Sequence, residues 1–153
     1  ISNYDVKIRY DLILDIPYDT EDTLKETIGL LLELPKPLHF NLYSLQYFPY
    51  YPLTQKALTD GHIKEEEASV DTLAQRLFRT WGFAPKLFPL TKRQMLQNII
   101  WLIAFGHTTD GIVKDAVFKD SPAAKIKFIY LNFKSVFWGK IREIKRVLNK
   151  RIA

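Results

Sequence analysis

Between Val6 and Asp15 the chain alternates: Ile8, Tyr10, Leu12 and Leu14 share one face, and Asp11, Ile13 and Asp15 share the other. A two-residue period is that of a strand, and apolar residues on both faces predict a strand buried on both sides. Pro17 cannot donate to a ladder and stops it, after which Asp19 or Thr20 can cap a helix through a side-chain oxygen. Leu24, Ile28, Leu31 and Leu32 then recur at helical spacing until Pro35 and Pro37 intervene, so the spacing predicts a helix over 21–34. From Leu38 to Phe48 a second strand places Phe40, Leu42, Ser44 and Gln46 on one face and Asn41, Tyr43, Leu45 and Tyr47 on the other. The unit predicts parallel strands at 7–15 and 39–47, joined by a right-handed crossover through the helix.

The rest of the chain reads as helical. A short helix over Leu53–Asp60 is closed by Gly61 as a left-handed cap. An acidic turn at Glu65, Glu66 and Glu67 precedes a stripe of Val70, Leu73, Leu77, Phe78 and Trp81 that ends at Gly82. Pro85 and Pro89 make Phe83–Leu90 an extended connector, and Thr91 caps a helix that is apolar nearly all round from Met95 to Phe105, the pattern of a buried element. A brief helix over Asp110–Lys119 follows, and Ser121-Pro122 signals the start of a long one. In that last helix Ile126, Ile129, Phe133, Phe137, Ile141, Ile144 and Leu148 keep helical spacing. This stripe is expected to dock the first half of the helix near the 91–105 helix, leaving the segment beyond Arg142 to project basic side chains into solvent. The apolar runs are too short to span a bilayer, which takes about 20 residues.

Composition narrows the chemistry. A chain of 153 residues without cysteine can form no disulfide, thiolate nucleophile, zinc ribbon or self-contained iron–sulfur site, which makes an intracellular, cytoplasmic location the expectation, while its ordinary hydrophobic content predicts a folded domain. It opens on Ile1 with no charged-then-apolar leader, and reads as a piece of a longer polypeptide. The net charge of +5 is uneven: Asp15, Asp19, Glu21, Asp22, Glu26 and Glu33 crowd the first helix, whereas Lys119 to Arg151 is almost wholly basic. Such a basic run is more often a solvated helical face than a surface for anionic lipid or nucleic acid.

No phosphate-cradling glycine loop, dinucleotide fingerprint or serine–histidine constellation is present, and His39, His62 and His107 lack metal-ligand spacing. The strand–helix–strand unit fits a fragment of an α/β barrel, in which Asp11 and Asp15 would face the lumen and Asp15 would stand at the carboxyl end where barrel sites are built. Catalytic residues and metal ligands are not assigned. Two other readings stay open: a different (β/α) barrel enzyme using Asp11 and Asp15 for acid–base or metal work, and a non-enzymatic module whose basic amphipathic tail binds an anionic membrane surface or nucleic acid.

The run Asp11, Leu12, Ile13, Leu14, Asp15, Ile16, Pro17, Tyr18, Asp19, Thr20 resembles the fifth-strand motif D-x-I-x-G-x-P-G-E-T of radical S-adenosylmethionine (radical SAM) core domains. Phe48-Pro49-Tyr50-Tyr51-Pro52-Leu53-Thr54, followed by Gly61, resembles the F-P-G-T-x-L-T-like segment after the sixth strand. The similarity covers residues 10–61 and is closest to the branch whose longer members carry a cobalamin-binding domain. Asp15, Tyr18 and Tyr50 stand where that pattern has glycine, and Asp19 stands where it has glutamate.

The resemblance implies an α/β chain: the last strands of a (β/α)6-type partial barrel over 1–61, followed by a mostly α-helical C-terminal region over 62–153. It implies S-adenosylmethionine as cofactor, with Ile13 against the adenine, Asp15 and Pro17 shaping the turn, and Leu45 and Tyr47 adding contacts. The 4Fe–4S cluster and any cobalamin would be held by parts of the polypeptide outside this chain, since three upstream cysteines ligate the cluster in that family. The partners implied are the rest of the same polypeptide and a small-molecule or lipid-like substrate, with a membrane surface open through the basic helix and nucleic acid ranked behind it.

Overall fold

Two parallel strands and five α-helices make up most of the computed structural model, which describes residues 8–36, 39–68 and 83–152. Among these residues the strands are β1 (Tyr10–Leu14) and β2 (Phe40–Ser44). The helices are α1 (Glu21–Glu33), α2 (Pro52–Thr59), α3 (Lys92–Ala104), α4 (Asp110–Val117) and α5 (Pro122–Ile152), with one 3-10 turn at Glu65–Ala68. The chain is thus mixed α/β and mostly helical. The stripe expected over 70–81 lies outside the described residues. Two compact units are drawn from discontinuous stretches: residues 9–19 with 40–84, and residues 1–8, 20–39 and 85–153.

In the strand-bearing unit, β1 and β2 pair in parallel as expected, with Tyr10 opposite Phe40 and Leu14 opposite Ser44. Tyr10 and Phe40 bring their rings to 5.3 Å, and Leu14, Phe40 and Leu42 are buried. The strands are shorter than the alternation predicts, and β1 is not buried on both sides. Asp11 is exposed and Ile13 is 51% exposed. Charged Asp11 and Asp15 on that face keep their hydration more cheaply in water than under a second layer. After β2, Tyr47, Ala57, Ile63 and Ala68 form a small core with Leu45 and Leu58 packed against it. Pro52 occupies the first turn of α2, where its missing N–H costs nothing, and Gly61 closes the segment at φ 73°.

The helical unit is built around α3. Thr20 caps α1 reciprocally with Thr23: the Thr20 hydroxyl accepts from Thr23 N–H at 3.2 Å, while Thr20 N–H donates to Thr23 Oγ1 at 2.9 Å. Leu24, Ile28 and Leu31 of α1 are buried, and α1 packs on α3. Thr91 caps α3 by accepting from Gln94 N–H. Residues 96–100 and 102–104 are all buried, as the all-round apolar pattern requires, because α1, α4 and α5 each contact α3. Gly106, at φ 66°, ends it.

The long helix docks on α3 and α4, but by another face than its apolar stripe predicts. Phe128, Asn132 and Val136 are buried, at spacings of four residues, whereas Ile126 is 70% exposed, Ile129 56%, Phe133 41% and Phe137 42%. Asn132 sits at the centre of the buried face. Its amide nitrogen donates to the carbonyls of Lys86 (3.1 Å) and Leu87 (3.2 Å), and its oxygen accepts from Asn98 Nδ2 at 2.9 Å. Asn98, fully buried on α3, also donates to Lys86 O (2.6 Å) and accepts from Lys86 N–H (3.0 Å). A connector rich in proline thereby has its backbone groups satisfied by two buried amides.

Removing one amide leaves the other buried and short of partners, which costs more than the bond itself. Asn132→Ala should therefore destabilise the chain by about 2 to 4 kcal/mol, read as a lower urea midpoint. Ile129→Ala on the exposed stripe should cost less than about 1 kcal/mol; the reverse ranking would mean that α5 is turned the other way.

Candidate functional site at the strand ends

Parallel register sets Asp11 opposite Asn41 and Ile13 opposite Tyr43, so these four side chains share the open face of the two strands. Asn41 Nδ2 donates to Asp11 Oδ1 at 2.7 Å. At the carboxyl end the chain turns sharply, because Asp15 adopts φ 61°. Three bonds hold that turn: Ser44 Oγ donates to Asp15 Oδ2 at 2.7 Å, Tyr47 OH donates to the Asp15 carbonyl at 3.3 Å, and Leu45 N–H donates to the Leu14 carbonyl at 2.8 Å. The result is an apolar ledge at Ile13 and Tyr43 between two polar pairs. Such a ledge suits a flat ring with hydrogen-bonding edges better than it suits a bare ion.

The five residues singled out from the sequence fall into different settings. Ile13 is exposed on the ledge, and Asp15 is exposed at the turn that follows it. Pro17 is partly buried in the next turn. Tyr47 is 8% exposed, with its ring in the small core and its hydroxyl on the Asp15 carbonyl; Leu45 packs against the same core. Ile13 and Asp15 are thus the most exposed of the five, Pro17 and Leu45 are half-buried, and Tyr47 is buried.

A second polar group gathers beside the turn, only part of which the spacing signals. Tyr18 OH donates to Asp60 Oδ2 at 2.8 Å, Lys56 pairs with the same oxygen at 2.6 Å, and the Lys56 ammonium lies 5.0 Å from the Tyr18 ring centre. His62 meets that ring edge-on at 4.8 Å. The Lys56 hydrogen bond, seconded by Tyr18, holds the Asp60 carboxyl below its ordinary range. Desolvation and the Asp60 hydrogen bond raise the Tyr18 phenol, and Asp60 raises Lys56. The Lys56–Asp60 pair is legible as an i, i+4 ion pair. Tyr18, 42 residues away in sequence, is not. Among the described residues no group of three or more His, Cys, Asp or Glu side chains could hold a metal ion.

Comparison with family models, curated proteins and solved structures finds no match.

The backbone adds a feature of its own. The described non-glycine residues at positive φ are Asp15, Tyr50 and Asp120, with Tyr50 at 68°. L-residues pay about 1 to 2 kcal/mol in that region, asparagine and aspartate less. Asp15 is offset by the Ser44 and Tyr47 bonds, whereas Tyr50 is 89% exposed. Tyr50→Gly should leave stability unchanged or raise it by up to about 1 kcal/mol, while Tyr50→Val should lower it by about 1 kcal/mol or more; thermal melts would read both.

The Tyr18–Asp60–Lys56 contact has a defined pH window. The depressed Asp60 value makes its contribution complete above the ordinary carboxylate value of about 4 and lost as pH falls through the lower folded value. The raised Tyr18 and Lys56 values keep their contribution complete below about pH 10 and lose it as pH rises through the higher folded values. Titration followed by NMR at the Asp60 carboxyl and the Tyr18 ring should show the contact intact between these limits.

Proposed function

We propose that this chain is the C-terminal portion of a cytoplasmic radical SAM enzyme and supplies the adenine- and substrate-side wall of its partial barrel. One observation carries the reading. Of the three positions at which the similar motifs have glycine, two, Asp15 and Tyr50, adopt the left-handed backbone that glycine favours. The side chains differ from the motif, but at these two positions the backbone takes a conformation that glycine adopts at least cost. The parallel β1–β2 pair with α1 between its strands in sequence agrees with the last two units of such a barrel.

In this role Ile13 and Tyr43 form the apolar surface on which adenine lies, and Asp11 with Asn41 offers hydrogen-bonding edges beside it. Asp15, held by Ser44 and Tyr47, keeps the strand end fixed. The chain has no cysteine, so none of its residues can ligate the cluster that supplies an electron for cleaving the sulfonium. Its own part is to bind and orient. Methyl transfer through a corrinoid belongs to the same reading by analogy with the branch it resembles. Asp11 and Asp15 are each already hydrogen-bonded, to Asn41 and Ser44, which favours this role over a barrel that uses them as free acid and base.

In the complete protein, Ile13→Asp should weaken S-adenosylmethionine binding by about tenfold or more while leaving the melting temperature close to that of the parent, since it places a charge that must be desolvated under the ring. Leu14→Asp, at a buried position, should instead unfold the chain. Calorimetric titration with S-adenosylmethionine reads the first; unchanged affinity in a folded Ile13→Asp protein would remove the proposal.

A further inference from the structure

The face of α5 opposite its buried side is apolar and open. Ile126, Ile129, Tyr130, Phe133 and Phe137 recur at helical spacing and are between 41% and 70% exposed. They continue into an aromatic string: Phe88, itself 66% exposed, lies 6.1 Å from the Phe133 ring, Phe133 stacks on Phe137 at 5.5 Å, and Phe137 meets Trp138 at 5.9 Å. Soluble surfaces rarely leave so continuous a patch in water without a use for it. The shape is a ridge along a helix, not a groove, so it offers no cleft to receive a peptide.

Charge says what the ridge meets. The helix sequence from Pro122 to Ile152 contains nine Lys or Arg residues against one acidic residue, Glu143. Lys127 and Lys134, seven residues apart, stand on one flank of the ridge, and neither pairs with a carboxylate among the described residues. On that flank an open hollow of about 440 Å³ is lined by His107, Leu131, Lys134, Ser135 and Trp138. An ammonium, a hydroxyl and an imidazole beside an indole are groups that hold a phosphate at a lipid–water boundary. Two copies of so basic a helix repel one another, which disfavours self-association through the ridge. Among the described residues no helix is long and apolar enough to cross a membrane. Along its 31 residues, about 46 Å at 1.5 Å per residue, an apolar ridge flanked by lysines is the amphipathic pattern of a helix lying in the plane of an interface.

We infer that α5 docks on an anionic lipid bilayer, with the ridge from Ile126 to Phe137 inserted among the acyl chains and the Lys134 hollow taking a lipid phosphate. This surface draws nothing from the strand-end site. It stands or falls separately from the reading of that site.

Flotation of the full chain with vesicles tests it, comparing pure phosphatidylcholine with phosphatidylcholine containing phosphatidylserine. Binding to the anionic vesicles alone is expected, weakening as salt is raised. Lys134→Glu and Lys127→Glu should each reduce partition by about fivefold or more, since each basic residue near such a surface contributes about that factor. The paired change Phe133→Ser with Phe137→Ser should abolish binding at low salt as well. If that pair lowers the melting temperature, Ile126→Ser with Tyr130→Ser, at positions 70% and 61% exposed, replaces it and should give the same loss. Equal binding to neutral vesicles, or no effect of either serine pair in folded protein, would overturn the inference. So would sedimentation showing a stable dimer that the serine pairs dissociate, because a second copy would then be what covers the ridge.

Discussion

Two buried amides set the geometry of the helical unit. Asn98 on α3 and Asn132 on α5 bond to each other and close on the backbone of Lys86 and Leu87. Buried polar groups without partners are costly, so these two side chains must meet, and only one rotation of α5 about its axis lets them. Hydrophobic burial holds the helix down through Phe128 and Val136, but the amide pair determines which face goes down. That rotation leaves Ile126, Ile129, Phe133 and Phe137 exposed. A structural requirement on one side of the helix thus creates the open ridge on the other.

The strand-bearing unit depends on a different kind of constraint. Among the described residues its sheet is two strands wide; the backbone turns to a conformation that suits glycine at Asp15, just after β1, and again at Tyr50, just before α2. At Asp15 the cost is met by hydrogen bonds from Ser44 and Tyr47, the latter anchored in the small core beneath. Such over-determined turns are where proteins place binding residues, because the backbone stays put while a ligand is bound. The apolar ledge at Ile13 has the exposure to be used and the support to be rigid. Tyr47 also steadies that end through its hydroxyl on the Asp15 carbonyl, and Leu45 packs on the small core beside it.

Each unit therefore presents a surface with its own chemistry. The ledge suits a flat ring with polar edges, while the ridge of α5 suits a soft, extended and negatively charged boundary.

The order of elements was legible in the sequence. Proline and glycine punctuation, the threonine caps at 20 and 91, and the alternation around Leu12 and Leu42 placed the strands and helices within a few residues. These signals are local: a cap, a break or a two-residue period acts over one or two turns of chain, and the neighbouring sequence contains all of it. The packing face of α5 was not legible, since an asparagine at the centre of a buried face reads as solvent-facing to any rule that follows apolar spacing. Its partner lies 34 residues away on α3. The Tyr18–Asp60 contact escaped for the same reason, and so did the left-handed turn at Asp15, which is held by bonds from Ser44 and Tyr47 about thirty residues on. Sequence alone determined where the chain forms helix and strand; tertiary structure decided which side of each faces water, because that choice belongs to pairs of residues that only the fold brings together.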